Sequence, residues 1–258
     1  MVVLYLGSLF VLLLAAFWDT GGPLGTEVVH TWTLDNFKQI LEVPVYRDVA
    51  WRTISMAVYV TIADAVLAFP LAYYMARVAS PRTRSLLVVA VLTPLWAGYL
   101  VKGYIWRTML GEQGVVNWFL EPFGLSGPGY TTAGLWLTFT YLWLPFMILP
   151  IYAGLERISG SLLEASADLG ARSVRTFWKV TVPLVFPAVV AGSIFTFSLT
   201  LGDYILPSLI ADQQFIGTVI YGDRGTGLPV AAAYAMVPVA VMTVYLVVAK
   251  RLGAFENL

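Results

Sequence analysis

The sequence predicts an all-α, polytopic membrane protein with six transmembrane helices, and its composition is the first reason. Of the 258 residues, 59% are hydrophobic and only 12% are charged. An ordinary soluble domain has about 25% charged residues. The mean hydropathy of +0.79 agrees with this composition. So few charges cannot cover a soluble globule with so much apolar material, and we therefore expect these side chains to lie in a membrane.

The spacing of the charges is the second reason, because it leaves runs that are long enough to cross a bilayer. A transmembrane helix needs about 20 mostly apolar residues. The first run ends at Asp19, lacks a basic start and a small-residue cleavage site, and is interpreted as a span rather than a signal peptide. The second run lies between Arg52 and Arg77 and contains one charge, Asp64. The third run is the uncharged stretch 85–101.

Three further runs complete the set. Residues 122–155 are uncharged, residues 180–202 precede Asp203, and residues 225–249 precede Lys250. No repeat or linker divides the chain, so we expect a single transmembrane domain over residues 1–258. The predicted spans lie at about 2–18, 52–76, 85–106, 132–154, 183–206 and 229–249.

The basic residues between the spans predict the orientation. Six of them lie in one set of loops, together with most of the acidic residues. Nine lie in the loops after the second and fourth spans and at the C-terminal end: Arg77, Arg82, Arg84, Arg157, Arg172, Arg175, Lys179, Lys250 and Arg251. The positive-inside rule places this second set, and with it both termini, in the cytoplasm.

Other residue counts exclude several classes of function. The 15 basic and 15 acidic residues balance, which leaves no excess of positive charge for nucleic acid. With no cysteine and a single histidine, His30, we predict no metal site and no catalytic residue. The chain also lacks the Gly-x-x-x-x-Gly-Lys-Ser/Thr loop that cradles ATP phosphates, so any ATP and magnesium must be bound by a separate subunit.

The cytoplasmic loop at about 156–182 carries a spaced motif. Glu164-Ala165-Ser166 is followed after three residues by Gly170, and after nine more by Val180-Thr181-Val182-Pro183. This resembles the loop of ABC importer permeases in which Glu-Ala-Ala, Gly and Ile-x-Leu-Pro occur at these spacings. An ordinary amphipathic surface helix is the alternative. The resemblance implies an ATPase-coupling helix that uses Glu164, Ala165, Ser166, Asp168, Leu169, Gly170, Arg172 and Pro183.

Longer stretches resemble the spermidine/putrescine permeases of that family. They are Thr33-Leu34-Asp35-Asn36-Phe37 and residues 144–152, 162–171 and 201–207. The resemblance implies a type I ABC importer permease fold in the lipid of a bacterial inner membrane. It also implies three partners, namely a second homologous permease, two copies of an ABC ATPase, and an extracytoplasmic binding protein that delivers a polyamine. Iron, sulfate and thiamine permeases share much of this scaffold and remain alternatives.

Two aspartates within the predicted spans are candidates for the substrate pathway, because ionisable residues in a membrane are costly. Asp64 lies 12 residues after Arg52, or about 18 Å along a helix, near the bilayer centre. Asp203 lies 20 residues after Pro183, or about 30 Å, in the outer part of the fifth span.

A polyamine needs carboxylates and aromatic faces for its ammonium groups, so three aromatic residues join these aspartates. Tyr204 follows Asp203, and the third span contains Trp96 and Tyr99, with Trp96 12 residues or about 18 Å from Arg84 and hence near mid-membrane. Two alternatives are structural. Asp64 could pair with the hydroxyl of Thr61 or with a partner subunit. The aromatic residues could belong to the interfacial belt, where we also expect Trp106, Trp118 and Trp143.

Two other classes of membrane protein fit less well. An intramembrane aspartyl protease has two aspartates that share a proton, but Thr200 and Ala63 stand where its signatures have Gly and Tyr. A secondary transporter would normally have more spans and an inverted repeat. We therefore expect a permease subunit that is not itself an enzyme, recognisable by ATP-dependent uptake with a co-purifying ATPase.

The absence of native cysteine allows a direct test of the orientation. Single cysteines introduced at Ser85 or Ser173 should react with a membrane-impermeant thiol reagent only from the cytoplasmic side. A cysteine at Ser126 should react only from outside, because the positive-inside rule puts its loop there. Labelling of intact cells and of inverted vesicles measures both sides, and the reversed pattern would show that the orientation is wrong.

Overall fold

The computed structural model describes residues 2–21, 27–223 and 227–251, and it confirms the all-α prediction. A small antiparallel sheet pairs β1 (Asp19–Gly21) with β2 (Glu27–Val29). The helices are α1 (Val2–Ala15), α2 (Asp35–Glu42), α3 (Pro44–Tyr73), α4 (Pro81–Trp96), α5 (Tyr99–Leu110), α6 (Val115–Leu120), α7 (Thr132–Arg157), α8 (Gly160–Asp168), α9 (Ser173–Thr176), α10 (Val182–Leu201), α11 (Ile216–Asp223) and α12 (Leu228–Arg251). Short π-helical turns cover Tyr74–Val78, Phe177–Thr181 and Pro207–Ala211, and a short 3-10 turn covers Glu121–Phe123.

Within these described ranges, four continuous helices are long and apolar enough to cross a membrane: Pro44–Val78, Thr132–Arg157, Ser173–Leu201 and Leu228–Arg251. Helices α4 and α5 pass the same test only as a pair, and they are bent by 96° relative to each other. At 14 residues, α1 is apolar but shorter than the usual span. The helices are therefore compatible with the predicted count of six spans, which they do not confirm.

Three of the predicted boundaries differ from the helices. The segment 85–106 is not one straight helix, because the chain leaves the helical conformation at Ala97. The helix of the fifth span ends at Leu201, so Asp203 lies beyond it. The loop predicted at 156–182 is shorter, since helix resumes at Ser173. The predicted spans and loops were bounded mainly by charged residues. A helix can continue past such a residue, because a long basic side chain can extend from the helix to the membrane surface.

The contacts divide the chain into two compact units, and the first comprises Met1–Met56, Leu110–Leu135 and Thr200–Thr243. Its core is built around Tyr234, whose ring is fully buried and whose hydroxyl donates a hydrogen bond of 2.7 Å to the carbonyl of Tyr46. Asn36 in α2 donates to the carbonyls of Ala16 and Trp18 and so satisfies the backbone where α1 ends. Apolar residues of α1, α2, α3, α11 and α12 pack around this centre.

The second unit comprises Ala57–Met109, Trp136–Leu199 and Val244–Leu258, and its core lies between α3, α7 and α10. Small residues on α3, such as Ala68 and Ala72, allow the helices to approach closely, as is usual in membranes. Helices α7 and α10 approach closely at Gly154, where an added Cβ would lie 2.6 Å from the Cβ of Ala188 in α10.

Two arginines of the second unit satisfy the carbonyl groups at helix ends. Arg77 donates through Nη2 to the carbonyls of Leu155 and Ile158, at the end of α7. Arg84 donates to the carbonyls of Met75 and Ala76 and forms an ion pair of 3.2 Å with Glu156. Terminal carbonyls have no partner within their own helix and carry partial negative charge, so an arginine stabilises them in both respects.

We expect Gly154→Ala to destabilise the protein, because its methyl group would force α7 away from Ala188. Overpacking of this kind costs about 1–3 kcal/mol. The midpoint of thermal unfolding of the purified protein measures the effect. Gly160→Ala is the matched control, since nothing lies within 4 Å of its added Cβ. Equal midpoints for the two variants would contradict the close approach of α7 and α10.

Candidate functional site

The motif loop forms a short helix that ends abruptly at Gly170. Helix α8 covers Gly160–Asp168, and Gly170 adopts the left-handed conformation with φ of +77°. The amide of Gly170 donates to the carbonyl of Ala167 at 2.8 Å, and that of Ala171 donates to Ser166 at 3.1 Å. These two bonds are those of a Schellman cap, in which glycine is favoured because a side chain strains this conformation. The left-handed conformation of this cap therefore explains locally why the motif has a glycine at this position.

One face of α8 is anchored and the other is exposed. Leu163 packs against the core of the second unit. Glu164 and Asp168 are exposed, and neither forms an ion pair with any residue in the described ranges. Leu169 is 89% exposed although it is apolar. A carboxylate in the last turn of a helix opposes the helix dipole, so Asp168 does not stabilise α8. This face has the composition of a contact surface.

The departure of the motif from Glu-Ala-Ala has a structural consequence. Ser166 stands where the family pattern has its second alanine, and its hydroxyl makes a hydrogen bond of 2.9 Å with that of Thr176. An alanine could not make this bond. It connects α8 to α9, so that the two short helices are joined by a side-chain bond as well as by the turn at Gly170. Sequence reasoning missed Thr176, which no motif position indicates.

The last motif position lies where α9 leads into the fifth span. Pro183 is the second residue of α10 and follows the π-helical turn Phe177–Thr181. A proline in a helix has no amide hydrogen, and its ring clashes with the carbonyl four residues earlier, here that of Lys179. A π turn opens the helix at this point. The helix therefore continues unbroken from Ser173 to Leu201 despite the proline.

The exposed surface extends beyond α8. Arg172 precedes α9 and is exposed, and the apolar side chains of Val174 and Trp178 are 71% and 64% exposed. Glu164 and Leu169 of α8 and these three residues are thus all exposed in this part of the chain. Large exposed apolar residues beside charges are typical of a protein–protein interface.

Asp64 lies on the buried face of α3 within the second unit. Its side chain is 0% exposed, and neither carboxylate oxygen has a hydrogen-bond partner among the residues that the structure describes. The proposed pairing with Thr61 is wrong, because that hydroxyl donates to the carbonyl of Ala57 and accepts from Thr196. An unpaired buried carboxylate is costly as an anion. No described residue compensates a charge on Asp64, so a proton, a cation or a group of a partner subunit must do so.

Asp203 lies in the first unit, after the end of α10, and has a defined local role. Its Oδ1 accepts hydrogen bonds from the amides of Ile205 and Leu206 at 2.8 and 3.1 Å. It therefore caps the short helical segment that follows, which lies outside the fifth span. The neighbouring Tyr204 stacks on Tyr221, with ring centroids 4.6 Å apart.

The two aromatic candidates of the third span have different surroundings. Trp96 ends α4 and is 92% exposed, whereas Tyr99 begins α5 and stacks on Trp143 with ring centroids 5.9 Å apart. The span bends after Trp96, so the rise from Arg84 to Trp96 along α4 is unaffected, whereas Tyr99 does not continue the path of that helix. Trp143 is buried beside Phe146, so its assignment to the interfacial belt is wrong. The described residues contain no group of three or more potential metal ligands.

Known proteins place the chain in one family. Residues 68–254 match the family described as binding-protein-dependent transport system inner membrane component. The chain is 45% identical to the inner membrane ABC transporter permease protein YdcU of Escherichia coli (strain K12), over 99% of this chain and 87% of that protein. It is 32% identical to the spermidine/putrescine transport system permease protein PotB of Haemophilus influenzae, over 73% of this chain and 67% of that protein.

Other matches are more distant. The molybdenum transport system permease protein ModB of Mycobacterium bovis is 30% identical over 65% of this chain and 63% of its own length. Among solved structures, a bacterial ABC transporter involved in the import of the acidic polysaccharide alginate matches with a TM-score of 0.75. That match covers 96% of this chain and 89% of the other, at 18% identity, and it shows the fold.

These findings confirm the resemblance and the type I importer permease fold that the motif loop predicted. They also confirm that the chain is not an enzyme, because the ATPase of this family is a separate subunit. Permeases of the family act in the membrane with a second permease, ATPase subunits and a binding protein. The chain belongs to the binding-protein-dependent inner membrane permeases of ABC importers.

Proposed function

We propose that this permease forms one half of the translocation pathway of a polyamine importer. The observation that carries the proposal is its identity of 31–32% with spermidine/putrescine permeases over about three quarters of its length. In the proposed cycle an extracytoplasmic binding protein delivers putrescine or spermidine to a pair of homologous permeases. Two ATPase subunits, which bind ATP and magnesium, drive the pair between outward and inward access. Both termini then lie in the cytoplasm.

The coupling step is proposed to use the exposed face of α8. The Schellman cap at Gly170 and the bond between Ser166 and Thr176 favour movement of α8 and α9 as one piece. The helix that begins with α9 continues to Leu201, so displacement of the loop by the ATPase would be passed directly to the fifth span. Glu164, Ala165, Asp168, Leu169 and Arg172 would then supply the contact, and Pro183 would mark the entry into the membrane.

The charges of the proposed pathway favour a cation. An unpaired carboxylate such as that of Asp64 attracts an ammonium group and repels an oxyanion. The similarity to a molybdenum permease makes molybdate the specific alternative, with iron, thiamine and sulfate as further ones. An oxyanion in a low-dielectric pathway requires positive charge or amide donors, so a role for Asp64 in the pathway would argue against molybdate and sulfate.

Uptake by cells that express the whole transporter tests the substrate. We expect accumulation of radiolabelled putrescine or spermidine that depends on ATP hydrolysis and is lost when the ATPase is inactivated. Molybdate, sulfate, iron and thiamine are offered to the same cells as comparisons. ATP-dependent accumulation of one of these solutes, without accumulation of either polyamine, would overturn the polyamine assignment and leave the permease family unchanged.

Substitutions at Gly170 separate backbone conformation from side-chain bulk. An added Cβ meets nothing within 4 Å, but a non-glycine residue with positive φ costs about 1–2 kcal/mol. We expect Gly170→Val to lower uptake and the co-purification of the ATPase about 5- to 30-fold, the population change that corresponds to this strain. Gly170→Asn should be milder, since asparagine tolerates this conformation.

A change of charge on the exposed face of α8 complements that test. Glu164→Lys should abolish uptake while the protein remains inserted in the membrane, because the residue has no described partner within the chain to lose. Membrane fractionation measures insertion, and affinity purification measures bound ATPase. Normal uptake in both Gly170→Val and Glu164→Lys would show that α8 is not the coupling helix.

Two aspartates test the cation pathway. A hydrogen bond to a charged group contributes about 1.5–3 kcal/mol, so Asp203→Asn and Asp64→Asn should each reduce polyamine uptake about tenfold or more. Asparagine caps a helix as well as aspartate does, so the fold around Asp203 should be kept. Asp64→Asn breaks no described hydrogen bond and should leave expression unchanged.

Asp203→Ala is the control for capping. It removes both the charge and the acceptor for Ile205 and Leu206, and it should destabilise the protein by about 1 kcal/mol in addition to lowering uptake. If Asp203→Asn transports normally and only Asp203→Ala is impaired, the aspartate is a cap and not part of the pathway. Uptake by Asp64→Asn near that of the wild type excludes Asp64 in the same way.

A further inference from the structure

A small cavity lies within the second unit, beneath the anchored face of α8. Its volume is about 200 Å³, and its walls come from the end of α3, from α8 and α9, and from the π turn Phe177–Thr181. Sites for drug-sized ligands have volumes of about 300–1,000 Å³, so this one is suited to a smaller group. The polar side chains of its wall are those of Tyr73, Arg77, Ser173, Thr176 and Thr181. Four hydroxyl groups and one guanidinium thus surround the space.

The guanidinium of Arg77 has unused hydrogen-bonding capacity and charge. Its Nη2 donates to the carbonyls of Leu155 and Ile158, but its Nε is buried and has no hydrogen-bond partner in the described part of the chain. The end of a helix offsets roughly half of one positive charge. No described carboxylate lies within 4 Å of Arg77, and Glu156 on α7 is instead paired with Arg84. An anion would supply the missing acceptor and the missing charge.

We propose that this cavity binds a phosphate-type oxyanion. Guanidinium groups bind phosphate oxygens strongly because each N–H donates a charge-assisted hydrogen bond. The hydroxyl groups of Ser173 and Thr181 can donate to the remaining oxygens, since each carries one proton and can rotate to direct it. The hydroxyl of Thr176 can donate as well while it accepts the proton of Ser166 in their mutual bond. The lining contains no carboxylate that would repel the ligand.

The position of the site gives it a regulatory consequence. Arg77 belongs to the turn that ends α3, whereas Ser173 and Thr176 belong to α9, which is bonded to α8 through Ser166. An oxyanion bound to both sides would connect the end of α3 to the coupling loop and restrict movement between them. The ligand would therefore modulate how the ATPase moves the loop, whatever solute the importer carries.

Protection of an introduced cysteine provides the test. Ala171 lines the cavity and the chain has no native cysteine, so Ala171→Cys reports access to the site. The complete transporter, purified in phosphate-free detergent without added lipid, is labelled with a thiol reagent. Modification of this chain is then followed by mass spectrometry. We expect millimolar inorganic phosphate, at constant ionic strength, to slow labelling at least fivefold relative to chloride. Labelling of Ser161→Cys, in an exposed part of α8, should be unchanged.

Two further measurements connect the protection to the cavity and identify the source of the oxyanion. In the Ala171→Cys chain, Arg77→Gln should remove the protection, whereas Arg84→Gln should keep it, because Arg84 also caps a helix but does not line the cavity. Solubilised phosphatidic acid, compared with diacylglycerol, distinguishes a lipid phosphate from inorganic phosphate. Protection by inorganic phosphate or by phosphatidic acid supports the site. The compound that protects identifies the source of the oxyanion.

A third variant keeps the test decisive if Arg77→Gln does not fold. Ala167→Met fills the cavity from α8 and leaves Arg77 in the sequence, and it should also remove the effect of phosphate. Its control is Ala165→Met, at an exposed position of α8 that does not line the cavity. No protection by phosphate or phosphatidic acid in the Ala171→Cys chain, or equal protection in the Ala167→Met variant, would overturn the proposal.

Discussion

The satisfaction of backbone polar groups is the constraint on which the rest of this structure depends. Hydrocarbon offers no hydrogen bonds, so each break in a membrane helix must be satisfied by the protein itself. The chain does this at two helix ends with long basic side chains: Arg77 serves α7 and Arg84 serves the end of α3. Asn36 does the same where α1 ends. The basic residues that indicated orientation are thus also structural parts of the helix ends.

The same constraint gives the motif loop its mechanical properties. Helix α8 is short, and an isolated helix of nine residues would be marginal in water. It is held by three attachments: its Schellman cap, the packing of Leu163 on the core, and the hydroxyl pair of Ser166 and Thr176. All three lie on or near its inner face, which leaves Glu164 and Leu169 exposed for a partner. A helix that is held on its inner face and exposed on its outer face is consistent with the coupling role proposed above.

Sequence reasoning succeeded where the determining interactions are local. The helix and turn at Glu164 to Gly170 follow from neighbouring residues, because glycine adopts φ of +77° without strain. Sequence reasoning failed where residues distant in the chain determine the structure. Charge spacing could not predict the bend after Trp96, nor the burial of Trp143 against Tyr99. Asp203 looked like a residue of a span because no nearby charge marked the end of α10. Its two bonds to the following amides depend on how the chain turns after that helix.

The two aspartates gave similar signals in the sequence, but the structure surrounds their carboxylates differently. The Oδ1 atom of Asp203 is used by two backbone amides, which stabilise its negative charge and give it a structural role independent of any solute. Asp64 has no such support within the described chain, although it is fully buried. An ionised carboxylate in that position is several kcal/mol less stable than one in water. Such a group is tolerable only if it holds a proton or if a cation compensates it in some state of the working transporter. A polyamine supplies such a cation and an oxyanion does not, so the charge state of Asp64 during transport is the physical property that most directly separates the two classes of substrate.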